Sequence, residues 1–214
     1  MKVFREFESH PLRQKVMLLE IDNFFHNLQY KSLDVFLKKN NLYWRFFQNP
    51  SLGEKFYKKY YPNSTIVKES PAFVHIFHRY DEPKNNYNFD IYSLFYNKLS
   101  SIFNHKIKIF RIQGNIGVPC PNFTHQYNCP HVDWENFQHN TLIYYLNTVD
   151  GDTILFEETY PEFQENNVKN IYRRCNPREN KAIIFDGFRY HASSPSTTNL
   201  RIVINVNFAV QDDI

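Results

Sequence analysis

The sequence has little of what would assign a chain to a functional class at first sight. It has no run of about 18 apolar residues, and its charged start, MKVFREFESHPLRQK, lacks the apolar stretch of a signal peptide. Basic residues are spread without a long run and leave a formal net charge of only +3, so no nucleic-acid footprint stands out. These absences predict a soluble, cytoplasmic protein with no membrane segment.

Cysteine is also scarce. The three residues Cys120, Cys129 and Cys175 do not have the spacing of a zinc site, and their odd number argues against a disulfide framework. Reduced thiols are the expectation, and a bridge between Cys120 and Cys129 across one loop is the alternative.

Aromatic residues are abundant by contrast, since the 214 residues include 21 phenylalanines and 15 tyrosines. A chain of this length can bury most of its unfolded surface in one large domain, or in a core domain with an N-terminal extension. The core should therefore be rich in aromatic rings, with tyrosine hydroxyls that need partners.

The first half of the chain has a mixed pattern. Residues 11 to 39 show apolar spacing compatible with two helices, and Ser32 is a candidate N-cap of the second. The segment AFVHIFHRY (72 to 80) has the composition of a strand, and IYSLFYNKLSSIF (91 to 103) has helical spacing. We expect residues 1 to 105 to form a helical and mixed buttress packed on the core.

The second half, residues 106 to 214, is predicted to consist of strands. Its apolar segments are KIKIFRI, TLIYYLN, DTILFEE, KAIIFDG and LRIVINVNF. Asp150-Gly151 predicts a two-residue hairpin between the second and third segments, and Asp186-Gly187 predicts a turn after the fourth. Short strands without crossover helices indicate an antiparallel sandwich or jelly-roll barrel, with the chemistry inside its mouth.

His131 and Asp133 are the sharpest candidates for chemistry. In an extended segment, residues i and i+2 project from the same face, so both side chains can reach one ion while Val132 points away. His191 follows a strand and a turn and is the natural third ligand of a 2-His-1-carboxylate triad, which leaves one face of an octahedral Fe(II) open. A His-x-Asp pair alone arises by chance, so the hypothesis depends on order and context.

The last predicted strand adds a basic residue to these candidates. Arg201 has the planar fork that binds a carboxylate through two hydrogen bonds. Alternation on the strand puts four side chains on one face, Arg201, Val203, Asn205 and Asn207, and four on the other, Ile202, Ile204, Val206 and Phe208. We expect the first set to line a pocket and the second to pack between layers.

Four segments in order, PHVD, TLIYYLNTVDGDTILF, KAIIFDGFRYHASSP and LRIVINVNF, resemble the 2-oxoglutarate- and Fe(II)-dependent oxygenase superfamily in its prolyl-4-hydroxylase-like branch, which includes viral and bacterial forms. The resemblance covers residues from about 106 to 210. It implies a mostly β fold with N-terminal helices and a double-stranded β-helix core. It also implies a dioxygenase that uses Fe(II), 2-oxoglutarate and O₂, with ascorbate as a candidate reductant, and that releases succinate and CO₂.

The resemblance also implies a role for individual residues. His131, Asp133 and His191 would hold the metal, and Arg201 would anchor the far carboxylate of 2-oxoglutarate. Further candidates for cosubstrate binding are Tyr145, Thr141, Thr153 and Asn205. Gln113 or Asn115 could also bind a cosubstrate carboxylate, and a loop-stabilising role is the alternative for them. Relatives often have two glycines before the threonine, whereas this chain has Asp152 directly before Thr153, which leaves the role of Thr153 open.

The target of such an enzyme is left open by the sequence. A peptidyl proline is the first hypothesis by resemblance, and a small metabolite or nucleobase is the alternative. A hypothesis from a different functional class is a metal-binding, cupin-like protein without turnover. The residues that select a substrate are expected in the irregular segments 81 to 90, 114 to 130 and 158 to 180.

Other histidines are given structural interpretations. His75 and His78 fall on opposite faces of their strand and are not expected to form a ligand pair. His125 and His139 flank the metal motif, and a solvated loop position is preferred for each over a place in a substrate channel.

Four further residues near the motif or its strands have alternative roles. Trp134 and Phe137 are either a lid or buried packing. Glu157 and Glu158 are expected to be charges on the rim of the site.

Overall fold

The structure is a computed structural model that describes residues 2–3, 18–39, 42–48, 69–81, 89–162 and 168–211. Within these ranges the chain forms two helices, α1 (Asn27–Lys39) and α2 (Phe89–Phe103), and eleven strands. The strands are β1 (Lys2–Val3), β2 (Leu19–Ile21), β3 (Arg45–Phe47), β4 (Ala72–Arg79), β5 (Lys106–Gly117), β6 (Asn140–Tyr145), β7 (Thr153–Thr159), β8 (Ile171–Cys175), β9 (Lys181–Asp186), β10 (Arg189–Ser193) and β11 (Arg201–Gln211). Neither described helix is long and apolar enough to cross a membrane.

The described strands form two antiparallel sheets. The large sheet has the order β1-β2-β9-β6-β11-β5-β4-β3, and the small sheet has the order β10-β7-β8. Side chains from both sheets meet in one buried cluster that includes Tyr145, Leu155, Cys175, Phe185 and Val203. After β6 the chain passes to the small sheet for β7 and β8, returns to the large sheet for β9, and crosses again for β10 and for β11. This is the jelly-roll arrangement that the sequence predicts.

The predicted hairpin at Asp150-Gly151 is wrong, because the strands on either side of it belong to different sheets. β6 pairs with β9 and β11, whereas β7 pairs with β8 and β10. Both strands are buried along nearly their whole length, so each needs strand partners on both of its edges and cannot pair only with the other. Asp186-Gly187 does form a turn, and it also crosses between sheets, from β9 to β10.

The helix predicted at the start of residues 11 to 39 is replaced in its described part by β2, which pairs with β9. Residues 11 to 17 lie outside the described residues. Ser32 is not an N-cap, because it lies inside α1 and its hydroxyl donates to the carbonyl of Leu28 at 2.8 Å. A serine inside a helix can form this bond to the preceding turn. The helix begins at Asn27, so apolar spacing placed its start a few residues too late.

β4 and α2 are confirmed at the predicted places, and β4 pairs with β5. Strands from before residue 105 thus complete the large sheet, so the predicted N-terminal part and the predicted core share one sheet. The boundary at residue 105 stays a prediction. The three cysteines are free, as expected.

The helices cover one face of the large sheet. There Phe24, Phe25 and Phe95 surround the ring of Tyr144, with ring centroids 5.1 to 6.0 Å from it. Tyr144 donates its hydroxyl to Asn180 Oδ1 at 3.1 Å, so this buried tyrosine has the partner that its hydroxyl requires. Asn104 ends α2 with a φ of 56°, a left-handed position that asparagine accepts more readily than other non-glycine residues. The opposite face of the sheet is left for the site.

Candidate metal and carboxylate site

A cavity of about 290 Å³ lies between the two sheets. Its floor is the uncovered face of the large sheet, and its lining there comes from alternate residues of β4, β5 and β11: Ala72, Val74, Ile76, Arg111, Gln113, Asn115, Arg201, Val203 and Asn205. The other wall contains His131, Val132, Asp133 and residues of β10 and the loop after it. The period of two along each strand therefore places these side chains in one cavity.

His131 and His191 are brought together by the backbone. The amide of each donates to the carbonyl of the other at 2.9 and 3.0 Å, which makes a single antiparallel bridge beside β10. Asp133 completes the group, and one ligand atom from each of the three residues lies within 4.8 Å of the others. The predicted triad is thus assembled, and a two-histidine, one-carboxylate set suits iron.

Both rings present the same nitrogen to this centre. His131 Nδ1 lies 3.1 Å from the carbonyl of Cys129, and His191 Nδ1 lies 3.3 Å from the carbonyl of Arg189. A carbonyl only accepts, so Nδ1 of each ring carries the proton and Nε2 keeps its lone pair for a metal. Burial, helped by the nearby His131, lowers the pKa of His191 to about 4, so its ring is neutral at pH 7.

The carboxylate of Asp133 is held from several sides and is only 6% exposed. Arg111 Nη2 donates directly to Oδ1, while Oδ2 accepts from Asn207 at 2.8 Å, Asn205 at 3.1 Å and Thr141 at 3.3 Å. Burial alone would raise the pKa of Asp133, but the Arg111 guanidinium, together with the hydrogen bond from Asn207, outweighs it and holds that pKa well below its usual range. The group is a fixed carboxylate anion.

Arg201 lies in the same cavity, and its charge has no such partner. The residue is 8% exposed; its Nε donates to the carbonyl of Gly151 at 2.8 Å and its Nη2 to Thr153 Oγ1 at 2.7 Å. Within the described parts of the chain, no carboxylate lies at ion-pair distance from it. Burying a guanidinium without an anion is costly, so this end of the cavity is suited to a ligand carboxylate.

Thr153 adds a second donor beside Arg201. Its Oγ1 accepts both from Arg201 and from the hydroxyl of Tyr145, the latter at 2.8 Å. Because both bonds use its lone pairs, the hydroxyl proton of Thr153 is available to an anion. Tyr145 itself is fully buried and reaches the cavity through Thr153, so its direct contact with a cosubstrate stays a prediction.

The other predicted cosubstrate residues are divided between the cavity and Asp133. Gln113 and Asn115 line the cavity and are joined by a 2.8 Å bond from Gln113 Nε2 to Asn115 Oδ1. Asn205 also lines it, and its amide nitrogen is used on Asp133. Thr141 is fully buried and donates to Asp133, which makes it a support of that carboxylate.

The expectation for His139 is wrong in part. His125 is exposed, as expected for a loop, but His139 is 2% exposed and burial lowers its pKa. It packs against Gly187, where an added Cβ would lie 2.3 Å from the imidazole ring. The sequence hides this because a turn glycine gives no sign of what packs on it. His75 and His78 bind backbone carbonyls and are not part of the triad, as predicted.

The expectation that Glu158 lies on the rim of the site is also wrong. It is buried and accepts from the amides of Lys169 and Asn170, whereas Glu157 is exposed. The period of two explains the difference, because adjacent residues of β7 point to opposite faces. Trp134 and Phe137 pack with each other at a ring separation of 5.2 Å, which favours the packing role.

Arg111 is the residue of this site that sequence reasoning missed. It lies two residues before Gln113 on β5, so the alternation that places Gln113 in the cavity also places Arg111 there. That was the available signal.

Comparison with known proteins gives similarity in structure only. No protein-family model matches the sequence, and no curated protein matches it. An oxidoreductase of the 2OG-Fe(II) oxygenase family from Burkholderia pseudomallei matches with a TM-score of 0.60 and 10% identity, over 91% of this chain and 86% of that one. A prolyl hydroxylase from Trichoplax adhaerens, in complex with a peptide fragment of hypoxia inducible factor, matches with a TM-score of 0.53 and 14% identity, over 89% and 82%.

The epimerase SnoN from nogalamycin biosynthesis, solved with Fe³⁺, alpha ketoglutarate and nogalamycin RO, has a TM-score of 0.58 and 7% identity, over 90% of this chain and 78% of that one. At such identities the similarity establishes the fold. This chain has the double-stranded β-helix fold of 2OG-Fe(II) oxygenases, as its sequence resemblance implies.

Proposed function

We propose that the protein is an Fe(II)- and 2-oxoglutarate-dependent dioxygenase. One observation supports this above all: a single cavity contains three metal-ligand side chains and a buried arginine that has no carboxylate at ion-pair distance among the described residues. A metal with open coordination positions and a dicarboxylate would satisfy both. A structural metal site does not require the arginine, and an anion site does not require the triad.

His131, Asp133 and His191 would hold the metal. Fe(II) bound by such a set supplies activation of O₂, coupled to the conversion of 2-oxoglutarate to succinate and CO₂. The protein's own contribution is to hold Nδ1 of both imidazoles at backbone carbonyls, which leaves Nε2 for the metal, and to keep the carboxylate ionised and fixed in place. Ascorbate is a candidate reductant for the same centre.

Arg201 and Thr153 would bind the far carboxylate of 2-oxoglutarate. Both present donors at one end of the cavity, and the guanidinium makes hydrogen bonds to Gly151 and Thr153 that fix its orientation before any ligand arrives. An anion held there is shielded from water, because Arg201 is 8% exposed.

The substrate we propose is a peptide, and hydroxylation of a peptidyl proline is the first hypothesis. The similarity to a peptide-bound prolyl hydroxylase supports this choice. The cavity wall on β4 is apolar, with Ala72, Val74 and Ile76. Among the described lining residues Asp133 is the only acidic one, and it is paired with Arg111. Such a wall suits an uncharged, apolar group. The alternative is oxidation of a small metabolite or nucleobase.

The first test separates an oxygenase from a metal-binding protein without turnover. Without oxygen, Fe(II) and 2-oxoglutarate together should produce a weak visible charge-transfer band, and admission of air should then produce succinate. Asp133→Ala should abolish both, while Glu157→Ala, a change of one exposed carboxylate on β7, should leave both intact. A band without succinate in the presence of substrate pools would indicate a non-catalytic, cupin-like protein, and the absence of both would refute the proposal.

The second test identifies the substrate. The iron-loaded protein is incubated with proline-containing peptide pools and, separately, with nucleosides and a metabolite extract, and mass spectrometry is used to detect the gain of one oxygen atom. Oxidised proline supports the first hypothesis. Oxygen gained only by small molecules would replace it with the alternative.

A further inference from the structure

The guanidinium of Arg111 lies directly beside the carboxylate of a candidate metal ligand. Its Nη2 donates to Oδ1 of Asp133, and its Nε donates to Oδ1 of Asn207 at 2.8 Å. Asn207 in turn donates to the other oxygen of Asp133, so the guanidinium and the amide hold the carboxylate between them. Both charges are largely buried, with 16% of the arginine side chain and 6% of the aspartate side chain exposed.

A buried carboxylate needs a compensating charge, and the two states of the site would supply it differently. Arg111 contacts Asp133 directly and is the cation that balances its charge before a metal arrives. A divalent metal bound to the triad would add two positive charges close to that guanidinium, in a region of low dielectric where the repulsion is strong. Arg111 thus stabilises the metal-free site and opposes the loading of the metal.

We propose that Arg111 is the internal counter-ion of Asp133, which keeps the metal-free site assembled and weakens metal binding. This inference rests on the proposed function, because it takes His131, Asp133 and His191 as the metal ligands. Arg111 is a positioning residue in this scheme, acting on the metal through Asp133.

The chain offers a matched control on the neighbouring strand. Arg79 lies on β4 and its guanidinium is 5.6 Å from the ring of Trp134, while that of Arg111 is 5.8 Å from the same ring. Arg79 is paired with Asp81 instead of a metal ligand. Replacing Arg79 therefore removes a comparable stacking contact and an ion pair, but leaves Asp133 untouched.

The experiment compares wild type, Arg111→Met, Arg111→Lys and Arg79→Met, using Mn(II) as a redox-stable substitute for Fe(II). Thermal unfolding is measured with and without Mn(II), and Mn(II) affinity is measured by titration. Arg111→Met should unfold at a lower temperature without metal, yet bind Mn(II) at least about tenfold more tightly and gain more thermal stability from it. Arg111→Lys, which keeps the charge, and Arg79→Met should both bind Mn(II) as wild type does.

A purely structural role for Arg111 makes the opposite prediction. Arg111→Met would then lose stability equally with and without Mn(II), and its Mn(II) affinity would be unchanged or weaker; either result overturns the proposal. If Arg111→Met folds only with Mn(II), the proposal is supported. If it folds under neither condition, Arg111→Gln, which keeps donors without the charge, has the same expected outcome.

A metal-free arm separates this inference from the proposed function. Without metal, Asp133→Asn should restore part of the stability that Arg111→Met removes, because the carboxylate left without its counter-ion is then uncharged. Additive losses would overturn the counter-ion role. Failure of wild type to bind Mn(II) would instead refute the metal site and the proposed function, whatever the metal-free cycle shows.

Discussion

The two faces of the large sheet differ in what they do with residues that are adjacent in sequence. On β11, Val206 and Phe208 pack towards the helices in a cluster of apolar side chains. Between and before them, Asn205 and Asn207 bind Asp133 on the other face, and Arg201 begins the same row. β6 repeats the division, with Tyr144 among the aromatic rings and Tyr145 beside Thr153.

This difference separates stability from ligand binding along a single strand. One face excludes water and stabilises the fold through apolar burial, whereas the other keeps charged and amide groups in fixed orientations at some cost in desolvation. Substitutions one residue apart should therefore affect different measurements.

Phe208→Ala should destabilise the packing of the large sheet against the helices. Phe208 is fully buried and its ring centroid lies 5.6 Å from that of Phe103 on α2. Removing such a ring leaves a cavity and should lower the free energy of unfolding by about 3–5 kcal/mol, measured by denaturant titration. Metal and 2-oxoglutarate affinities of the protein that remains folded should stay near wild type. A loss of affinity greater than the loss in Phe208→Leu would show that the faces are coupled.

Arg201→Leu should act on the other face. Without the guanidinium, the far carboxylate of 2-oxoglutarate loses its charged partner, and binding should weaken by about 2 kcal/mol or more, which is roughly 30-fold. The stability of the ligand-free protein should fall less than in Phe208→Ala, because Arg201 is buried with no carboxylate at ion-pair distance in the described part of the chain. Isothermal titration without oxygen gives the affinity.

The control for this change is Arg201→Lys, which keeps the charge but loses the planar fork and should give an intermediate affinity. Unchanged 2-oxoglutarate affinity in Arg201→Leu would move the anchor elsewhere, with Gln113 and Asn115 as the next residues to change.

Helical spacing predicted α2, and most of what could be predicted of the site follows from a period of two. The alternation on β11 correctly separates Arg201, Asn205 and Asn207 from Val206 and Phe208, because the pleat alone fixes which side each residue takes. His131 and Asp133 follow the same rule. His191 was predicted from its position after a strand and a turn and from the ordered resemblance, because no local spacing ties it to the other two ligands.

The sequence could not show which distant residues come into contact, or which strands pair with one another. Asp150-Gly151 has the composition of a hairpin turn, but sheet membership depends on which strands flank β6 and β7, and that is a tertiary property. Arg111 looks like a strand arginine until Asp133 is placed beside it, across 22 residues of chain. Ser32 shows that a serine inside a helix cannot be told from a helix cap by sequence alone, because its hydroxyl can bond to the preceding turn instead.

Two adjacent tyrosines give a finer comparison of the faces. Tyr144→Phe and Tyr145→Phe each remove one buried hydroxyl, which bonds Asn180 in the first case and Thr153 in the second. Each should lower the free energy of unfolding by about 1 kcal/mol, and only Tyr145→Phe should also weaken 2-oxoglutarate binding, by roughly fivefold. Equal binding by both variants would mean that Thr153 is held well enough by Arg201 alone.

Glu20 on β2 gives the smallest effect, at the place where the two sheets are joined by charge. Its carboxylate lies 2.8 Å from Lys181 Nζ on β9 and 3.0 Å from Arg173 Nη2 on β8, which belongs to the small sheet. Burial would raise the pKa of Glu20, but these two cations outweigh it and the pKa is lowered. A carboxylate whose pKa is lower in the folded protein stabilises it above the unfolded pKa, and this contribution is lost as pH falls through the folded value.

Glu20→Gln should therefore cost about 1 kcal/mol of stability near neutral pH, and this difference from wild type should vanish as the pH falls below the ordinary range of a glutamate. Denaturant titrations of both proteins across that range measure it. Glu157→Gln, at an exposed position of the small sheet, should show no comparable pH dependence. A stability difference between Glu20→Gln and wild type that persists in acid would mean that Glu20, charged or protonated, joins the sheets through hydrogen bonds that glutamine cannot make. The charge of Glu20 would then contribute little.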